Sequence, residues 1–178
     1  MGNEQDSLDE SAACEVAHGH GTEPGTDRTL IAAFASPVAD YLLRYANDAG
    51  YRVVLLEPDP DAVARMPKAG YEVTDDAAKY MDTGADVVVT DHHRPELGVV
   101  LRDALASPAR WVGIMGNPRH QGPHIEALAE LGVAEADIAR VHRPIGLNIG
   151  SRAPAEIAIA TLAGLIADRN GRPGGFSF

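Results

Sequence analysis

The chain is short of cysteine, of aromatic residues and of positive charge. It has one cysteine, Cys14, 5% aromatic residues, and 15 Lys and Arg against 26 Asp and Glu. Each shortage excludes something. A lone cysteine forms no internal disulfide, which excludes a disulfide-stapled scaffold and suits a reducing, cytoplasmic setting. A formal net charge of -11 argues against nucleic acid as a partner, because phosphate-backbone affinity is built largely from Lys and Arg. Long apolar runs are missing as well. No window nears the ~18 continuous apolar residues of a membrane span, and the start of the chain is polar and acidic. What remains is ordinary for a folded domain: 178 residues, 45% of them hydrophobic, enough for one domain with a core.

The charge is uneven. Residues 1–27 hold seven acids (Glu4, Asp6, Asp9, Glu10, Glu15, Glu23, Asp27) and no Lys or Arg. With Gly19, Gly21, Pro24 and Gly25 and few large apolar residues, this stretch cannot offset the entropy of ordering itself, so it reads as a flexible acidic leader. His18 and His20 within it read as exposed tail histidines. The run Asn170-Gly171-Arg172-Pro173-Gly174-Gly175 is rich in helix breakers, so 171–178 reads as a flexible tail and 28–170 as the domain.

Inside those limits strand-like and helix-like segments alternate. Short apolar runs at 29–34, 51–57, 71–73, 86–90 and 110–114 have the character of strands buried on both faces. Between and after them come helical patterns at 37–50, 58–66 and 95–106, one ending near Leu131-Gly132, and the longest at 153–168. Such alternation predicts βαβ units around a mainly parallel sheet with helices on both faces, an α/β doubly wound fold. Ligands of that architecture bind at the carboxyl ends of the strands.

The first strand-to-helix turn lacks the chemistry of a dinucleotide site. The G-x-G-x-x-G fingerprint lets backbone amides approach a pyrophosphate at a helix N-terminus. Here the stretch is Phe34-Ala35-Ser36-Pro37-Val38-Ala39, which has no glycine, and Pro37 withdraws an amide donor. Ser36 suits an N-cap and is also a candidate ligand contact. Glu57 lies ~20 residues downstream, where a ribose-binding acid belongs, or is simply a solvated strand terminus. NAD(P) is therefore disfavoured. No tyrosine has a lysine four residues on, so the Tyr-x-x-x-Lys pair of many nicotinamide oxidoreductases is missing too.

Two later loops retain glycine. Gly113-Ile114-Met115-Gly116-Asn117-Pro118 runs from a strand towards a helix, with Asn117 suited to the N-cap. It is either a ligand loop or a plain tight turn. His120 and His124 are four apart, but the intervening Gly122-Pro123 makes them more plausible as surface residues than as a metal pair. The second loop spans Gly146, Gly150, Ser151 and Arg152 and leads through Pro154 to Glu156 in a first helical turn. Arg152 suits a phosphate or carboxylate, Ser151 a cap or ligand contact, and Glu156 the helix dipole. Asp91 and His92, at a strand's carboxyl end, are expected to line the same crevice as Gly113, Gly116, Gly146 and Gly150.

These residues resemble a known family. PIGLNIGSRAPAEIAIATLAGLIA, from Pro144 to Ala167, is similar to the end of the XdhC/CoxI family, accessory factors for xanthine dehydrogenase and related molybdenum hydroxylases. Val112–Gly116 is similar to its V-G-x-x-G turn, Gly50–Val53 to its second strand, and Asp86–His93 to a strand that usually ends in Thr-His. The resemblance covers about 28–170. It implies a Rossmann-like, three-layer fold and a non-catalytic module that binds molybdenum cofactor (molybdopterin or its dinucleotide form). The implied partners are an apo-molybdenum hydroxylase and cofactor-biosynthesis proteins, with a homodimer left open. Where the family carries G-A-G-H, this chain reads Phe34-Ala35-Ser36-Pro37, and the acidic leader stands in place of the family's N-terminal domain with its cysteine motif.

Two alternatives stand beside it. One is a nucleotide-binding oxidoreductase-like domain. The other arises from Thr90-Asp91-His92-His93, which resembles the strand end of DHH-type manganese-dependent phosphoesterases. That chemistry needs further aspartates in an early D-x-D-G context, which Asp59 and Asp61 do not supply.

Overall fold

Continuous apolar runs suit strands covered on both faces, and five of them pair here. The computed structural model describes residues 27–65, 70–116, 119 and 121–175. The strands are β1 (Thr29–Ala33), β2 (Arg52–Leu56), β3 (Glu72–Thr74), β4 (Ala85–Val89) and β5 (Trp111–Ile114). All pair in parallel, in the order β3-β2-β1-β4-β5. The helices are α1 (Pro37–Asp48), α2 (Pro60–Arg65), α3 (Leu97–Ala106), α4 (Pro123–Glu130), α5 (Glu135–Ile138) and α6 (Pro154–Arg169), with a 3-10 turn at Ala78–Tyr80. Among the described residues no helix is long and apolar enough to cross a membrane.

Alternation along the strands divides the core in two. Leu30, Ala32, Leu55 and Val88 pack against Leu42 and Leu43 of α1 and Leu162 and Leu165 of α6. Ile31, Ala33, Val54, Val87 and Ile114 face Leu101 of α3, Leu128 of α4 and Ile138 of α5. The result is three layers, helix on sheet on helix. Truncating a fully buried leucine such as Leu42 or Leu101 costs about 2–5 kcal/mol, the transfer loss plus a cavity.

At the sheet's amino end a buried carboxylate ties α6 to the strands. Asp86 of β4 is fully buried. Arg110 Nε donates to one of its oxygens at 2.8 Å and Arg169 Nε to the other at 2.8 Å. Arg110 also reaches Asp168 at 2.6 Å.

Element boundaries shift by a residue or two from the sequence reading. The larger difference is the helix after β5. Its described start is Pro123, with Gly122 at the N-cap, while Asn117, Pro118 and His120 lie outside the described residues. Gly132, at φ +74°, ends that layer of helix, and the chain restarts as α5.

Candidate functional site

In a sheet of this order the strand sequence reverses between β1 and β4, and ligands favour the crevice above that switch point. A crevice of about 750 Å³ lies there, lined in part by Ser36, Tyr41, Arg44, Asp91 and Arg94.

The turn from β1 into α1 forms its floor. Phe34 is fully buried and sits at φ +74°, the left-handed region that costs an L-residue about 1–2 kcal/mol. The backbone therefore makes a glycine-type turn without glycine. Two of its donors are already committed. The Ala35 amide donates to Glu57 Oε2 at 2.7 Å and the Ala39 amide to Ser36 Oγ at 3.0 Å. Pro37 has no amide hydrogen to offer. Ser36 thus caps α1, and its hydroxyl donates to Thr90 Oγ1 at 3.0 Å. Thr90 in turn donates to the Phe34 carbonyl at 2.8 Å, tying β1 to β4.

Glu57, immediately after β2, is 2% exposed, so it is no solvated strand terminus. Besides the Ala35 amide, its carboxylate accepts the Asp59 amide at 2.9 Å. Arg94 Nη1 and Nη2 approach its two oxygens at 2.9 and 2.8 Å as a parallel fork. Burial pushes this carboxyl up, but the Arg94 hydrogen bonds, the two amides and the guanidinium charge outweigh it and hold it below the usual range. The Arg94 guanidinium also lies 4.8 Å from the Phe34 ring centroid, and its Nε is 3.4 Å from Glu96. Sequence reasoning had Phe34 as a side chain that crowds a pyrophosphate, but it did not single out Arg94. The one available signal was a buried-type acid after β2 that needed a cation.

Asp91 lines the crevice and accepts the His93 amide at 2.9 Å. The His92 and His93 rings stand 4.1 Å apart. Burial, then the nearby His93 and Arg143, push His92 down. Among the described residues no three His, Cys, Asp or Glu side chains gather as a metal-holding group.

The β5 loop is shaped by packing. A Cβ at Gly113 would come within 2.2 Å of the Trp111 ring, and one at Gly116 within 2.7 Å of Arg143 Nε. His124 is 5% exposed rather than on the surface, and burial followed by Arg143 lowers its pKa. Asn117 lies outside the described residues.

Gly146, Gly150 and Ser151 line a hollow of about 360 Å³ against α6, which shares no lining residue with the switch-point crevice. The expected single crevice is therefore two separate hollows. Gly146, at φ +82°, is pressed to α6 so closely that a Cβ would stand 3.0 Å from the Thr161 nitrogen. Ser151 Oγ accepts the Ala153 amide at 3.0 Å and hydrogen-bonds Glu156, tying off the start of α6. Arg152 beside them is exposed.

The sequence model of the XdhC Rossmann domain matches residues 30–165, the sheet from the second residue of β1 onward and most of α6. The chain belongs to the XdhC Rossmann-domain family. That family is related to the accessory proteins of xanthine dehydrogenase. The chain is 42% identical over 71 residues to the uncharacterized protein YqeB of Escherichia coli (strain K12), covering 40% of this chain and 13% of YqeB. The fold is similar to the crystal structure of a xanthine dehydrogenase from Bacillus halodurans, with TM-score 0.62 and 23% identity. That match covers 85% of this XdhC-type chain and 45% of the Bacillus halodurans chain. The chain thus spans less than half the length of either protein.

Proposed function

We propose that this XdhC-type domain is an accessory module in the maturation of a molybdenum hydroxylase of the xanthine dehydrogenase or carbon monoxide dehydrogenase type. It engages molybdenum cofactor or the apo-enzyme that receives it, without catalysing a reaction. The observation that carries the reading is the family match over residues 30–165. The site chemistry narrows it. The dinucleotide form of the cofactor carries a pyrophosphate, and the α1 turn does not fit that group, since the Ala35 and Ala39 amides are committed within the chain. The same misfit disfavours a nucleotide-dependent oxidoreductase. Contact with the cofactor's anionic end then falls to the loop before α6, where the Arg152 guanidinium is exposed and suits a phosphate or carboxylate.

An anaerobic titration with molybdenum cofactor, with NADPH and ATP as controls, tests the reading, together with capture of an apo-molybdenum hydroxylase on immobilised protein. Saturation by the pterin alone, or retention of the apo-enzyme, supports it. Failure of both overturns it.

A further inference from the structure

We infer that the ligand-binding groups at the switch point are taken up by the chain's own side chains, beside a crevice of about 750 Å³ that stays open, and that Phe34 and Arg94 are the residues that keep a dinucleotide from binding there. A dinucleotide needs three things there: an acid free to accept a ribose diol, amides free to hold a pyrophosphate, and an unfilled turn between them. The chain supplies an internal occupant for each.

Arg94 takes the place of the diol. Its two N–H groups reach the two oxygens of Glu57 at 2.9 and 2.8 Å. A vicinal diol would present the same pattern, two parallel donors to one carboxylate. Being charged and forked, the guanidinium holds the acid more strongly than two hydroxyls can. Two of the pyrophosphate's donors are used next. Glu57 itself claims the Ala35 amide at 2.7 Å, the Ser36 hydroxyl oxygen claims that of Ala39 at 3.0 Å, and Pro37 has none. Phe34 fills the third element. It keeps the left-handed backbone angle of a glycine, φ +74°, yet carries a fully buried ring on which the Arg94 guanidinium rests at 4.8 Å. The turn geometry persists while the ring fills the space beneath it, and the crevice above stays open.

The inference stands apart from the maturation role, since a crevice whose dinucleotide-binding groups are taken up is compatible with a cofactor or client bound elsewhere.

Calorimetric titration with ADP-ribose and NADPH tests it on the wild-type chain, Arg94→Ala, and Arg94→Ala combined with Phe34→Gly. The wild type is expected to show no saturation at millimolar ligand. Arg94→Ala, which removes the forked guanidinium from both Glu57 oxygens and leaves each with one backbone amide, is expected to bind ADP-ribose at least about tenfold more tightly, a gain of ~1.4 kcal/mol. The double variant is expected to bind more tightly still. Wild-type binding that Glu57→Gln abolishes would overturn the inference, as would variants that melt cooperatively but bind no better than wild type. If the variants do not melt cooperatively, amide exchange of the wild type decides. Unchanged protection over 33–40 and 90–97 with ADP-ribose is the expected result, and added protection there overturns the inference.

Discussion

Two buried carboxylates sit at opposite ends of the same sheet, and they are held in different ways. Glu57, at the carboxyl end, accepts two backbone amides and a forked guanidinium. Asp86, at the amino end, is fully buried and meets two guanidiniums but no described amide. Burial pushes both carboxyls up. At Glu57 the hydrogen bonds and charge win and its pKa falls. At Asp86 burial wins over the pull of Arg110 and Arg169, and its pKa rises. The lesson is that a forked guanidinium reinforced by two turn amides outweighs the burial of Glu57, whereas two guanidiniums alone do not outweigh the burial of Asp86.

The largest expected effect comes from removing the amino-end acid. Asp86→Ala leaves two partly buried arginines facing an apolar strand and is expected to cost about 3–5 kcal/mol, read as a loss of the urea midpoint. Glu57→Gln comes next, at about 1–3 kcal/mol, because an amide NH₂ then faces donors it cannot accept. The pair also separates by pH. A carboxyl lowered on folding contributes stability above its unfolded value of ~4.3 and loses it as pH falls through its folded value. One raised on folding acts oppositely, since protonation above ~3.9 favours the folded state. Melting curves between pH 7 and 3 should therefore show a shallower acid loss in Glu57→Gln than in wild type. In Asp86→Asn the loss should be steeper, and identical slopes for the two variants would erase the distinction.

The Phe34 turn gives a smaller and cleaner contrast. Both truncations remove the ring, but Phe34→Gly should be more stable than Phe34→Ala by about 1–2 kcal/mol. That order reverses the usual penalty for glycine and is readable by thermal unfolding. Ser36→Ala, which uncaps α1 and breaks the link to Thr90, should cost about 1 kcal/mol. Arg152→Ala, on an exposed loop, should leave the melting temperature unchanged while weakening any anionic ligand held before α6.

Much of the fold was legible because its signals are local. Runs such as Val87-Val88-Val89 read as strands from composition alone, and Ser36-Pro37 announced the start of α1. The missing glycines at Phe34–Pro37 were legible too, but not what replaced them. Arg94 lies 37 residues from Glu57, and no spacing rule links a loop after β4 to an acid after β2. Gly113 and Gly146 were readable as glycines of candidate ligand loops. Their actual constraint is the approach of Trp111 and Thr161, which depends on tertiary packing. Asp86 stood in plain view within Asp86-Val87-Val88-Val89, and a lone acid in a strand buried on both faces is itself a demand for distant cations.

The sheet's two outer margins bear on how the protein behaves in crowded solution. β3 is only three residues long. Its Glu72 sits among Arg52 at 3.6 Å, Lys79 at 3.7 Å and the Tyr80 hydroxyl, so that side offers charge instead of a long bare ladder. On the other side the segment at His142 pairs with β5, its amide donating to Val112 at 3.0 Å and its carbonyl accepting from Ile114 at 3.0 Å. Unpaired strand margins are where chains recruit one another into aggregates. With one margin short and charged and the other already paired, the domain presents little template for that recruitment, and the whole chain's net charge of -11 adds mutual repulsion between copies.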